Sequence, residues 1–140
     1  MASKALLTDG TLHLKLSSTF DNLERAVNEA EAFMSRMTND DDLAYRVVLL
    51  TSEAVTNAME HGNKWDAEKH ITLDLIATRA RIELQVGDEG GGYESSDVPD
   101  PRHDDNVFNG RGRGLFFMEE LASELHLERE GCLLRLIFYR

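Results

Sequence analysis

Leu49 to Asn63 reads LLTSEAVTNAMEHGN, and the fold turns on this stretch because it sets an acid and an amide on one face of a helix. Glu53 and Asn57 stand four residues apart, so at about 100° per residue they differ by roughly 40° in azimuth and about 6 Å in height. One ligand can therefore meet both. Val47, Val48, Leu50, Ala54, Val55 and Ala58 are spaced to seat the helix on a core, while Glu53, Asn57, Glu60 and His61 climb a second stripe. A carboxylate can serve as a base, and an amide oxygen can ligate a hard cation. Taken alone, the same spacing describes any helix side turned to water, and that is the commoner case, so the decision falls to the rest of the chain.

The chain on either side of this helix alternates helical and strand patterns. Leu12, Leu14 and Leu16 interleave with His13 and Lys15, the period-two signature of a strand with one buried face and His13 turned to solvent. Ser18 or Thr19 then caps a helix with apolar positions Phe20, Leu23, Val27, Ala30, Phe33, Met34 and Met37, and Asp21 suits its first turn. Asn39 or Asp40 starts the second helix, with Asp41 and Asp42 at the positive end of its dipole and Gly62 placed to terminate it. Ile71, Leu73 and Leu75, then Ile82, Leu84 and Val86, read as two locally joined antiparallel strands. From Glu89 to Asn109 periodicity gives way to a Gly-, Ser- and Pro-rich loop carrying Asp97, Asp100, Asp104 and Asp105, a solvated lid without metal-ligand spacing. Leu115, Phe116, Met118, Glu119, Leu121 and Ala122 predict a third helix. Leu125 and Leu127, a turn at Glu130-Gly131, and Cys132, Leu134, Leu136 and Phe138 predict a closing hairpin. The expected fold class is α+β: a two-layer sandwich with three helices on one face of a mixed, mostly antiparallel sheet of about five strands, the other face left for association.

Size and composition narrow the function. The 140 residues suit one domain spanning residues 1–140, large enough to bury roughly two-thirds of its unfolded surface. With 41% hydrophobic and 29% charged residues, ten glycines and two prolines, the chain has the make-up of an ordinary globular protein. A formal charge of −11 opposes direct nucleic-acid binding and favours a protein partner with a basic surface. Cys132 is the only cysteine, which excludes an internal disulfide and a cysteine-rich zinc site; a small buried hydrophobe is its expected role. No run of eighteen apolar residues occurs, so no membrane span is expected, and a cytoplasmic setting is.

Two further segments carry candidate chemistry. Asp88 follows a strand and opens the pattern Asp88-x-Gly90-x-Gly92. A strand end fixes the carboxylate, and the glycines allow a flat ring to approach the backbone; a carboxylate can accept the exocyclic amine proton of adenine. The same residues also make an ordinary turn in which Asp caps amides. Asn109-Gly110-Arg111-Gly112-Arg113-Gly114-Leu115 joins the long loop to the third helix. Amides at such a helix start, backed by the dipole, form an anion site to which Arg111 and Arg113 can add charge, although a glycine hinge has the same composition. The run matches neither a dinucleotide fingerprint nor a P-loop.

In this order the three segments resemble the GHKL (Bergerat-fold) ATPases, and within them the small anti-sigma-factor serine/threonine kinases of the RsbW type. EAVTNAMEHG is similar to their N box, GDEGGGY to their first glycine box and GRGRGLFFM to their second, and the likeness covers nearly the whole chain. The resemblance implies that Asn57 binds Mg²⁺, that Asp88 binds the adenine of ATP with Gly90 and Gly92 making room for the base, and that Gly110, Gly112, Gly114 and the adjoining amides of Arg111, Arg113 and Leu115 hold phosphates. Glu53 falls at the general base that activates a seryl or threonyl hydroxyl, and His61 is a candidate phosphate or metal-water contact. The implied activity is that of an ATP-dependent protein serine/threonine kinase and anti-sigma factor, phosphorylating a small antagonist protein and sequestering a sigma factor, as a homodimer with no attached sensor or phosphoacceptor domain. The alternative is a nucleotide-gated partner-binding switch with little kinase activity.

Overall fold

Strand β1, Gly10–Ser17, turns its three leucines to one side, with Leu16 buried and Leu12 and Leu14 packed at the rim of the core. The computed structural model describes residues 9–90, 117–129 and 132–140. Helices α1, Phe20–Met37, and α2, Asp41–Asn57, follow. Side chains fix both starts: Thr19 Oγ1 accepts the amide of Asn22 at 3.2 Å, and Asp40 Oδ1 accepts that of Leu43 at 3.0 Å. Thr19 and Asp40 are thus the caps, and Asp21, Asp41 and Asp42 face the positive dipole ends.

The buried face of α1 is Ala26, Ala30, Phe33, Met34 and Met37, with Leu23 and Val27 half-buried. Phe20 departs from its expected core position and is 71% exposed. As the first helical residue it lies outside that repeating face, and its ring stacks instead on Trp65, centroids 4.4 Å apart. On α2, Val47, Leu50, Ala54 and Val55 are buried as their spacing requires, and Val48 is half-buried. Helical structure continues past Asn57 as a π-helical turn, Ala58–Gly62, in which the amide of Asn63 reaches back five residues to the carbonyl of Ala58 at 2.8 Å.

The remaining strands are β2 His70–Ala77, β3 Arg81–Gly87, β4 Glu124–Glu128 and β5 Leu133–Tyr139. They form one five-stranded sheet in the order β1-β2-β3-β5-β4, and every pairing in it is antiparallel. The two expected hairpins are β2–β3 and β4–β5. The chain leaves β3 after Gly87, returns to the sheet at its edge as β4, and turns back as β5 between β4 and β3, which sets Gly87 opposite Leu133. Whatever follows β3 is therefore held next to the start of β5.

One sheet face supplies Ile71, Leu73, Leu75, Ile82, Leu84, Val86, Leu134, Leu136 and Phe138 to a single core with α1 and α2. Residues 117–121 are helical, and Met118 is buried in that same core, so all three helices lie on one side. The opposite face is mixed, with Ile76, Leu133, Ile137 and Tyr139 among polar residues. One row across it runs His13, Asp74, Gln85, Arg135 and His126. His13 is exposed, as expected, with Nδ1 2.5 Å from Asp74 Oδ1. Among the described residues no helix is long and apolar enough to cross a membrane.

Candidate functional site

The end of α2 and the end of β3 meet. Gly62 closes the π-helical turn, and a Cβ placed on it would stand 2.4 Å from both Cγ and Oδ2 of Asp88. The glycine expected to stop the helix is thus required by close approach to a carboxylate, while the stop itself comes at Asn63, the C-cap. A Cβ on Gly90 would stand 1.9 Å from the carbonyl oxygen of Gly62. The segment that carries Glu53 and Asn57 therefore ends in backbone contact with the segment that carries Asp88 and Gly90.

The Asp88 turn is pinned at successive backbone groups. The amide of Asp88 donates to the carbonyl of Cys132 at 2.9 Å, across the β3–β5 junction. That of Glu89 donates to Asn63 Oδ1 at 2.9 Å, and that of Gly90 to Asp88's own Oδ1 at 2.8 Å. The carbonyl of Gly90 accepts the Cys132 thiol at 3.3 Å. Cys132, expected to be a buried hydrophobe, is half-buried, with its polar Sγ–H turned to the turn it helps hold. Glu89 sends its carboxylate back to the backbone amide of His70 at the start of β2.

Glu53 is half-buried on α2, and Asn57 is the last residue of that helix. Asn57 is half-buried as a residue, yet its Nδ2 atom is fully buried and has no hydrogen-bond partner among the described residues. A buried polar atom without a partner costs about 1–3 kcal/mol. His61 lies within the π-helical turn, half-buried, with Nε2 3.9 Å from Glu60 Oε2. Gly92, Gly110, Arg111, Gly112, Arg113, Gly114 and Leu115 lie outside the described residues, as do the loop aspartates and Glu130-Gly131. No cluster of three or more His, Cys, Asp or Glu suited to a metal occurs among the described residues.

Sequence reasoning left Asn63 without a role and offered Ser18 only as the alternative to Thr19 for a helix cap. Asn63 closes the opening stretch and is 1% exposed. A polar residue directly after the helix-ending glycine was the available signal. Nothing local in the sequence marks its partners, which come from three separate elements.

A family model of the histidine kinase-like ATPase domain matches residues 16–138. Among characterised relatives, the anti-sigma F factor of Geobacillus stearothermophilus is 28% identical over 125 residues, covering 85% of this chain and 83% of its own. The serine-protein kinase RsbW of Bacillus subtilis (strain 168) is 28% identical over 103 residues, covering 69% of this chain and 64% of its own. Among solved structures, the RsbU and RsbW domains of Rv1364c from Mycobacterium tuberculosis superpose with a TM-score of 0.64 over 92% of this chain, at 19% identity. That likeness is one of fold, and this chain spans 31% of the length of that one.

Proposed function

The chain belongs to the histidine kinase-like ATPase domain family, and from that membership we propose that it is an ATP-dependent protein serine/threonine kinase and anti-sigma factor, built as a single domain over residues 1–140. Its protein substrate is a small antagonist of the anti-sigma activity, and its captive is a sigma factor. The names of the relatives, anti-sigma F factor and serine-protein kinase RsbW, support both halves of this reading. The observation that carries the site is the contact of Gly62 with Asp88 and Gly90, which joins two of the three sequence segments into one locus.

In this reading Asp88 receives the adenine of ATP, and Gly90 and Gly92 leave room for the ring. The Asn57 amide holds Mg²⁺. Its orphaned buried nitrogen fits that role, because a half-turn of the amide would set an oxygen at the same position. When bound, the cation neutralises charge on the phosphate oxygens. Gly110, Arg111, Gly112, Arg113, Gly114 and Leu115 contribute amides and guanidinium groups to the phosphates, with His61 a lesser contact at the helix end. Glu53 takes the proton of the substrate hydroxyl as that oxygen bonds the γ-phosphorus and the bond to the ADP oxygen breaks. A basic segment of the sigma factor suits the acidic surface, whose formal charge is −11. A second copy would associate through the outer face of the sheet.

Incubation with γ-labelled ATP and candidate antagonists tests the proposal. Transfer of label to a seryl or threonyl side chain, lost in Glu53→Ala, is the expected result. Nucleotide-dependent partner binding without any labelling would instead assign the chain as a gated switch.

A further inference from the structure

We propose that Asn63 is a positioning residue that sets the Asp88–Gly90 turn for nucleotide, an inference that rests on the nucleotide-site reading above. The side chain is buried and satisfied on every side. Nδ2 donates to Ser18 Oγ at 2.9 Å and to the carbonyl of His70 at 3.0 Å, while Oδ1 accepts the amide of Glu89 at 2.9 Å. Its backbone amide closes the π-helical turn on Ala58, and its carbonyl accepts the amide of Asp66 at 3.0 Å. One residue thus ties the junction of β1 and α1, the end of the α2 segment, the start of β2 and the turn after β3.

The chemistry admits only an amide. The carbonyl of His70 can only accept, so it must face the NH₂ end; the amide of Glu89 can only donate, so it must face the oxygen. Aspartate would keep the oxygen toward Glu89 but oppose a second oxygen to the His70 carbonyl and bury a charge. An aliphatic residue would leave partners unpaired at three elements. The bond to Glu89 is the one that bears on function. Glu89 lies between Asp88 and Gly90, and fixing its peptide fixes the direction in which the Asp88 carboxylate leaves the strand. Ser18 anchors the opposite side of the amide, with its own Oγ donating to the carbonyl of Lys69 at 3.0 Å.

The arrangement therefore separates two effects. Removing Ser18 Oγ weakens the scaffold behind Asn63 but leaves the bond to Glu89. Removing the Asn63 amide releases the turn itself.

Calorimetric titration with ADP, paired with thermal unfolding, tests the inference on the full chain. Asn63→Ala, read at a temperature where it is folded, is expected to weaken ADP binding about tenfold or more, the equivalent of one lost hydrogen bond. Ser18→Ala is expected to lower the unfolding temperature yet bind ADP within about twofold of the parent protein. A folded Asn63→Ala that binds ADP like the parent, or a Ser18→Ala that loses as much affinity as Asn63→Ala, overturns the assignment. Should Asn63→Ala fail to fold, amide exchange in the unaltered protein decides. The Glu89 amide should be protected about a hundredfold or more without nucleotide, and exchange at the rate of an open chain would contradict the bond. If the unaltered protein bound no nucleotide, the site reading would fail, and the Glu89 measurement would still decide whether Asn63 holds the turn.

Discussion

Two buried polar groups lie on opposite sides of the same sheet and are treated differently. On the outer face Glu83 is 6% exposed and fully answered: Arg135 Nε lies 3.3 Å from one carboxylate oxygen and another Arg135 nitrogen 3.3 Å from the other, Gln85 donates to it, and an Arg81 nitrogen lies 3.4 Å away. Burial alone would raise its pKa, but hydrogen bonds from Arg135 and Gln85 and the charges of Arg135 and Arg81 outweigh it and hold the carboxyl below its ordinary value. Those same bonds to Glu83, with one to Glu128, raise the pKa of Arg135. On the helix side, the Asn57 Nδ2 atom is buried with no partner among the described residues. A closed network stabilises the chain by itself, whereas an unpaired buried donor costs stability until an acceptor meets it.

This contrast can be broken at several points. Gly90→Ala should have the largest effect, because its Cβ meets the Gly62 carbonyl oxygen at 1.9 Å and backbone must move. A stability loss of about 1–3 kcal/mol in denaturant titration, with nucleotide binding reduced below detection, is expected; normal binding would uncouple the two segments. Glu83→Ala should cost about 1–3 kcal/mol of stability while leaving nucleotide affinity intact. If affinity falls as well, the outer face is not a purely structural network.

The smallest effect is on pH dependence. Since the folded-state pKa of Glu83 lies below its ordinary value of 4.5, its contribution is complete above that value and is lost as pH falls through the lower folded value. Acid unfolding curves of the parent and Glu83→Gln should therefore differ in slope below about pH 4.5, where the unpaired carboxyl takes up its proton, and run parallel above it. A difference confined to neutral pH would contradict the assignment.

How much of this was legible in the sequence depended on how local the cause was. Leucines and isoleucines at period two marked all five strands, because burial of one face is written residue by residue. The caps were narrowed to two residues each for the same reason. Phe20 misled because helical spacing does not say where on the repeating face the first turn falls. The π-helical turn was hidden, since an ordinary helix and a widened one share the same residues and differ only in which carbonyl Asn63 finds. Gly62 does end the helical stretch, but the contact that requires a glycine there was hidden: its neighbour is Asp88, 26 positions away in the chain, and only the fold brings them together. Asn63 and Glu83 were illegible on the same ground, their partners lying on other elements. The Asn57 and Asp88 segments were legible because a helix end and a strand end announce themselves locally.

The most direct measurement is a calorimetric titration of Mg-ATP into the unaltered protein and Asn57→Ala, with unfolding temperatures recorded for both. The account predicts magnesium-dependent binding weakened about tenfold or more by the substitution, at an unfolding temperature equal to or above that of the parent, because an unpaired buried donor has been removed. Undiminished Mg-ATP affinity in a folded Asn57→Ala would contradict it.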